Sequence, residues 1–83
     1  MPRYRYALDE PAVVALGACE DAAFHRLILA FEILAEQPRP VGHTRRTLRG
    51  GHVIDLVRVG DFDIAFHADH ERRRVWILEI HRV

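Results

Sequence analysis

The middle of the chain repeats its apolar positions with the period of an α-helix. Residues 22–37 carry apolar side chains three and four positions apart, which places them along one helical face. This stripe consists of Phe24, Leu27, Ile28, Phe31, Leu34 and Ala35. We predict one main amphipathic helix here, with Asp21 as its N-cap and two prolines after its last turn. Leu29 and Ile33 are also apolar but lie outside this stripe, so they could form a second surface of the helix that is covered.

In the last third of the chain, apolar and polar residues alternate with the two-residue period of β-strands. We predict three strands there, at residues 52–59, 62–68 and 73–81. A glycine–aspartate pair separates the first two strands, and glycine at the first position of a two-residue turn is typical of a type II′ hairpin. This turn should place Val59 opposite Phe62 and Arg58 opposite Asp63. The next turn should then place Asp63 opposite Glu79.

Alternation along these strands assigns their side chains to two faces. The face predicted to pack under the main helix carries Val57, Val59, Phe62, Ile64, Phe66, Trp76, Leu78 and Ile80. The other face carries Arg58, Asp63, His67, Glu79 and His81. Because Trp76 falls on the core side of this alternation, we predict that it packs in the core and does not stack on a nucleic-acid base.

The first third of the chain predicts a strand and a short helix. Polar and apolar residues alternate at residues 3–8, which is typical of a strand. Residues 11–16 are typical of a short helix that Asp9 caps. Residues 41–51 are predicted to be a loop, since they contain three glycines and three arginines. The eighty-three residues therefore predict one domain, 1–83, of class α+β. Its order is β-α-α-β-β-β, with the helices packed on one face of a mainly antiparallel sheet.

Charge is balanced over the whole chain but unevenly distributed along it. Residues 9–36 carry a net charge of −5, residues 39–58 carry +4, and the total is zero. The neutral total argues against strong nonspecific binding to nucleic acid. All twelve Lys or Arg residues are arginine, whose guanidinium fork suits phosphate and carboxylate.

The chain shows no apolar run long enough to span a membrane and no signal-peptide pattern. Its single cysteine, Cys19, excludes an internal disulfide and suits a reducing cytoplasm, where we expect the protein to be. The His-Ala-Asp-His segment at 67–70 has no established metal-ligand spacing, so we expect no metal and no cofactor.

Several segments resemble the RelE/ParE toxin family of bacterial toxin–antitoxin pairs. The resemblance covers residues 24–82, and its most specific part is an Arg-Val-Gly-Asp-aromatic sequence that leads into a hairpin. The matching segments are Leu48-Arg49-Gly50, Arg58-Val59-Gly60-Asp61-Phe62 and Ile80-His81-Arg82. The resemblance implies a cytoplasmic toxin with a RelE/ParE-like α+β fold, which a cognate antitoxin binds and inactivates.

The resemblance also implies one of two activities. RelE-like members cut messenger RNA on the ribosome, and ParE-like members inhibit DNA gyrase. For an endoribonuclease, Arg49 and Arg58 would stabilise the transferring phosphate, and His81 or Glu79 would transfer protons. The residues implied to bind RNA or the antitoxin are Arg45, Arg46, Arg49 and Arg82.

The chain also departs from the family pattern. Asp63 stands where the family carries a second arginine, no tyrosine stands near Val83, and the net charge is zero. A carboxylate at that place repels an RNA backbone. These features favour the alternative of a binding module without chemistry, either a gyrase inhibitor or a toxin fold that binds an antitoxin or a second copy of itself.

Overall fold

The part of the chain that the structure describes contains two helices and five strands. A computed structural model describes residues 3–39, 43–47 and 50–83. The elements are β1 Arg5–Leu8, α1 Glu10–Gly17, α2 Asp21–Glu36, β2 Thr44–Thr47, β3 Val53–Val59, β4 Phe62–Asp69 and β5 Arg74–Arg82. Neither helix of the described residues is long and apolar enough to cross a membrane.

The strands form one mixed sheet in the order β1-β5-β4-β3-β2. β1 runs parallel to β5, and the other pairs are antiparallel. The α+β class and its mainly antiparallel sheet are confirmed. The prediction of a loop at residues 41–51 is wrong in part, because β2 lies within that range and pairs with β3. All four residues of β2 are exposed, so this edge strand has no apolar alternation by which the sequence could reveal it.

Both helices contribute to one core on a single face of the sheet. Leu27, Phe31 and Leu34 of α2 are buried as predicted, together with Ala12 and Leu16 of α1. They pack with the sheet residues Phe62, Ile64, Phe66, Val75, Ile77 and Ile80. This burial is what holds the amphipathic α2 helix to the sheet.

The structure corrects two details of α2. Phe24 is not in the core, since it is 39% exposed, while Ala23 and Ala30 are buried on the sheet side. The N-cap is Glu20 and not Asp21, because Glu20 is the last residue with extended backbone angles. Asp21 instead lies in the first turn, where its charge is favourable to the helix dipole. The helix ends at Glu36 because the next residue, which precedes a proline, is forced out of the helical region.

The β3–β4 hairpin has the predicted register. Gly60 has a φ of +60°, a conformation that glycine adopts without steric cost. Val59 pairs with Phe62, and Arg58 pairs with Asp63. The hairpin turn therefore places Arg58 and Asp63 side by side on the face opposite the helices.

The predicted pairing of Asp63 with Glu79 is wrong, because the register between β4 and β5 shifts at a bulge. Asp63 pairs with His81, and Glu79 pairs with Ala65. The pairing moves from Ala65–Glu79 to Phe66–Ile77, so Leu78 has no partner of its own on β4.

The bulge also reverses which β5 side chains face the core. Val75 and Ile77 are buried on the helix side before it, and Ile80 is buried there after it. Trp76 and Leu78 were predicted on the core face and are instead half-buried on the opposite face. One extra residue changes the parity of a strand, and the alternation alone does not reveal it.

The first prediction concerns Phe31, which is fully buried with its ring 5.5 Å from that of Tyr6. We expect Phe31→Ala to lower the free energy of unfolding by about 3–5 kcal/mol through lost burial and a residual cavity. Urea titration measures the loss, with the half-exposed Phe24→Ala as the matched control, for which we expect a much smaller loss. A loss below about 1 kcal/mol for Phe31→Ala would contradict its central place in the core.

Candidate functional site

The face of the sheet opposite the helices carries most of the candidate catalytic side chains. We call it the open face. Four of its residues form what we call the charged cluster, near the end of β3 and the beginning of β4: Arg58, Asp63, Glu79 and His81. Their grouping follows from the pairing of Arg58 and His81 with Asp63 on either side of β4.

Arg58 and Asp63 form a two-point ion pair. Arg58 Nε donates a hydrogen bond of 2.7 Å to Asp63 Oδ1, and Nη2 donates one of 3.3 Å to Oδ2. The hydrogen bond from Arg58 lowers the pKa of the Asp63 carboxyl below its usual value, and the same bond raises the pKa of Arg58. Both groups therefore remain charged at neutral pH, each held by the other.

His81 and Glu79 form a second, longer contact in the cluster. His81 Nε2 lies 3.5 Å from Glu79 Oε2, and both side chains are exposed. An imidazole and a carboxylate are both side chains that can transfer protons in catalysis. The pair has the groups needed for proton transfer at an exposed surface.

The charged cluster contains the residue types that RNA cleavage needs. Its carboxylates, however, oppose the binding of a phosphate group. A phosphate group would need the guanidinium of Arg58, which already binds a carboxylate at both ends of its fork. Asp63 and Glu79 also contribute two negative charges beside any approaching phosphate. Arg49, the other arginine predicted to stabilise the phosphate, lies outside the described residues.

The arginines predicted to bind RNA or an antitoxin lie on different faces. Arg45 lies on the helix side, where its Nε donates a 3.3 Å hydrogen bond to Asp55, a carboxylate only 7% exposed. His43 Nε2 lies 3.5 Å from the same oxygen of Asp55. Arg46, the next residue of β2, pairs with Ile54 and lies on the open face.

Arg82 also lies on the helix side, away from the charged cluster. Its guanidinium carbon lies 4.7 Å from the centroid of the Phe62 ring. Arg82 donates a 2.8 Å hydrogen bond to Glu20 and lies 3.6 Å from Asp61. The bond to Glu20 raises the pKa of Arg82 and lowers that of Glu20. Arg82 thus links the end of β5 to the turn between the helices.

The open face also contains a depression that the sequence analysis did not identify. We call it the Trp76 depression. It has a volume of about 470 Å³ and is lined by Asp9, His52, Val53, Ile54, His67, Trp76 and Leu78. The depression was not predicted because the alternation along β5 assigned Trp76 and Leu78 to the other face.

A second uncovered surface lies on the helix side, between α2 and β3. We call it the α2 groove. It has a volume of about 250 Å³ and is lined by Arg26, Leu29, Ala30, Ile33, Leu34, Val57 and Val59. Leu29 and Ile33 are 60% and 56% exposed. These are the two residues that lie off the predicted stripe, and they form an exposed apolar surface on this helix.

The His-Ala-Asp-His segment does not converge on one point. His67 lines the Trp76 depression, Asp69 accepts hydrogen bonds from Arg72, and His70 shares a 2.8 Å hydrogen bond with Tyr4. Within 3–39, 43–47 and 50–83, no group of three or more His, Cys, Asp or Glu side chains is placed to hold a metal ion.

The second prediction concerns the pH dependence of the Arg58–Asp63 pair. Because the pKa of Asp63 is lower in the folded state, the unfolded state binds more protons below about pH 4. The pair therefore stabilises the fold above this pH, and that stabilisation is lost as pH falls through the folded pKa. We expect wild type to be more stable than Asp63→Asn at neutral pH, with the difference shrinking in acid.

Urea unfolding over a pH series measures this difference. The control is the same comparison in an Arg58→Ala background, where the difference should be much smaller at every pH. A difference between wild type and Asp63→Asn that is constant from acid to neutral pH would contradict the linkage.

This chain is similar to known proteins in structure and not in sequence. No protein-family model and no curated protein matches the sequence of this chain. A chain of the archaeal RelE–RelB complex from Pyrococcus horikoshii OT3 matches with a TM-score of 0.81 and 20% identity, over 98% of this chain and 96% of that one. A chain of a toxin–antitoxin complex from Mycobacterium tuberculosis matches with a TM-score of 0.81 and 21% identity, over 100% of this chain and 94% of that one.

The isolated E. coli RelE toxin matches as well, with a TM-score of 0.78 and 13% identity, over 96% of this chain and 84% of that one. At these identities the likeness establishes the fold. The resemblance inferred from the Arg-Val-Gly-Asp-aromatic hairpin is confirmed at that level, and the chain has the fold of the RelE toxins.

Proposed function

We propose that the protein is the toxin-like component of a toxin–antitoxin pair, acting in the cytoplasm and bound by a cognate antitoxin. The observation that carries the proposal is the match of almost the whole chain to chains solved in a RelE–RelB complex and in a mycobacterial toxin–antitoxin complex. The α2 groove supports it independently, because an apolar surface of this kind is typical of a peptide-binding site.

The shape and chemistry of the α2 groove fit an amphipathic segment of an antitoxin. Leu29 and Ile33 are one helical turn apart, and Val57 and Val59 of β3 form the opposite wall. Arg26 stands at the groove with its guanidinium 3.9 Å from Asp61. A segment with apolar side chains for the two walls and a carboxylate for Arg26 would satisfy the groove.

The third prediction tests this surface. We expect Leu29→Asp and Ile33→Asp to abolish copurification with the co-expressed cognate antitoxin, because each places a charge on an apolar contact. The matched control is Val14→Asp on α1, where the replaced side chain is 66% exposed and lies outside the groove. Melting curves confirm that all three variants fold. Copurification that survives both groove variants would place the antitoxin elsewhere.

Ribosome-dependent cleavage of messenger RNA is the second candidate function. It is favoured by the charged cluster, where Arg58 and His81 flank Asp63 on one exposed face. In this mechanism the 2′-hydroxyl attacks the adjacent phosphate, a base takes its proton, and an acid protonates the departing 5′ oxygen. We assign proton transfer to His81 or Glu79 and charge stabilisation to Arg58 with Arg49. Asp63 would then restrain the activity by holding Arg58.

The fourth prediction separates cleavage from binding alone. If the protein cleaves RNA, induced expression in a bacterial host should arrest growth with an immediate fall in protein synthesis. Arg58→Ala should then abolish the arrest, and Asp63→Asn should strengthen it by freeing the guanidinium for phosphate. Mapping of messenger RNA ends in the same cultures identifies the cleavage.

Growth arrest that neither variant changes, without new RNA ends, would exclude the cluster as a catalytic centre. It would favour the non-catalytic alternative. A supercoiling assay with purified gyrase then tests inhibition of that enzyme, and sedimentation tests self-association.

A further inference from the structure

β2 lies at one edge of the sheet and is attached to the rest of the protein by few contacts. Its four residues, Thr44–Thr47, are all exposed, so the strand contributes no side chain to the apolar core. It has one neighbouring strand in the sheet, β3, with which it pairs in antiparallel orientation. A strand with no buried apolar contacts belongs to the part of a fold that opens locally at a low free energy.

A buried carboxylate on β3 holds β2 from the helix side. Asp55 is the one buried charged residue in the part of the chain that the structure describes. Its Oδ1 accepts a 3.3 Å hydrogen bond from Arg45 Nε, and His43 Nε2 lies 3.5 Å from the same oxygen. Arg45 belongs to β2, and His43 directly precedes that strand. We call these contacts of Asp55 with Arg45 and His43 the Asp55 latch.

The Asp55 latch differs from the other arginine pairs of the sheet in its burial. Asp55 is buried, whereas the side chains of Asp63 and Glu20, which bind Arg58 and Arg82, are exposed. An exposed ion pair contributes little to stability, but a buried charge that loses its partners is strongly unfavourable. β2 can therefore leave only if Asp55 becomes hydrated at the same time, and the strength of the latch sets how often this happens.

On the open face, β2 forms one wall of a recess at the charged cluster. Thr44 pairs with Leu56 of β3, two residues before Arg58. The recess has a volume of about 300 Å³ and is lined by Thr44, Leu56, Val57, Arg58 and Asp63. Because side chains alternate along a strand, Thr44 lies on the open face and Arg45 on the helix side of the same short strand. The two residues therefore move together when Arg45 leaves Asp55.

β3 is held far more firmly than β2, so an opening would stop between them. Val57 and Val59 of β3 pack against the core cluster, and a two-residue turn joins β3 to β4. Detachment of β2 would expose the backbone of one short strand and little apolar surface. That change is small compared with the surface exposed by global unfolding.

We propose that β2 is a detachable strap over the edge of β3, held closed by the Asp55 latch. In the closed state, β2 covers this edge and walls the recess beside Arg58. In the open state, β3 is the edge strand, Asp55 is hydrated, and Arg58 is accessible from the edge of the sheet as well as from the open face. The helices and the other four strands stay folded. The strap is a property of the fold and does not depend on toxin activity.

Native-state amide hydrogen exchange, followed by NMR, tests the strap in the wild-type protein. The exchange rate of each protected amide is measured at increasing urea concentrations below the unfolding transition. An amide that exchanges through a local opening responds weakly to urea because little surface is exposed, whereas a core amide responds with the slope of global unfolding.

We expect the amides between β2 and β3 to exchange at least about 100-fold faster than those between β4 and β5, with almost no dependence on urea. Exchange of both sets at the same rate and with the same dependence on urea would overturn the proposal.

A matched pair of aspartate variants tests the latch. Asp55→Asn removes the buried carboxylate that β2 contacts, and Asp63→Asn removes an exposed carboxylate that joins β3 and β4. We expect Asp55→Asn to accelerate exchange between β2 and β3 by about tenfold more than exchange between β4 and β5. Asp63→Asn should produce no such selective change. If Asp55→Asn accelerates all amides equally, Asp55 stabilises the whole fold and is not a latch.

A pair of arginine variants tests the same contact from the side of the strap and decides the question if Asp55→Asn does not fold. Arg45→Gln removes the hydrogen bond to Asp55. Arg46→Gln is the control, because no carboxylate of the described residues lies within ion-pairing distance of Arg46. We expect only Arg45→Gln to accelerate exchange between β2 and β3 selectively. Equal effects of the two arginine variants would exclude the latch.

Discussion

The bulge between β4 and β5 is the constraint on which both faces of this protein depend. By leaving Leu78 without a partner, it lets Val75 and Ile77 face the helices before it and Ile80 face them after it. The core therefore remains continuous along β5 despite the change of parity. The same extra residue turns Trp76 and Leu78 to the open face, where they form the floor of a depression.

The parts of the fold that the sequence predicts are those set by local chemistry. The spacing of Leu27, Phe31 and Leu34 predicts α2, and the turn at Gly60 sets the register of the hairpin that follows. The parts it does not predict are those set by pairing over a distance. The bulge depends on how β5 meets β4, and β2 depends on the backbone of β3, since its own side chains are all exposed.

The same distinction between local chemistry and pairing over a distance applies to the candidate site. The hairpin register predicts the Arg58–Asp63 contact from sequence, whereas the cross-strand pairing of His81 with Asp63 depends on the bulge and was not predicted. Carboxylates bind three of the arginines that the family resemblance suggested: Asp63 holds Arg58, Asp55 holds Arg45, and Glu20 holds Arg82. Arg46, the fourth of them that the structure describes, has no carboxylate within ion-pairing distance among the described residues and pairs with Ile54 beside the Trp76 depression. Net charge is therefore a poor guide to where this protein can meet an anion.

The two uncovered surfaces lie on opposite sides of one sheet, and this limits how an antitoxin can act. Val57 and Val59 belong to the α2 groove, whereas Arg58 between them belongs to the open face. A segment seated in the groove therefore does not itself cover Arg58 or Trp76. To reach the open face from there, the shortest path passes around β2, the strand at that edge of the sheet.

The exposed β2 edge has backbone groups that can pair with an added strand. A partner taking that path would meet Arg46 first on the open face, at the rim of the Trp76 depression. Under the proposed function, an antitoxin that wraps this edge would cover Arg46, whereas one confined to the groove would leave the open face uncovered.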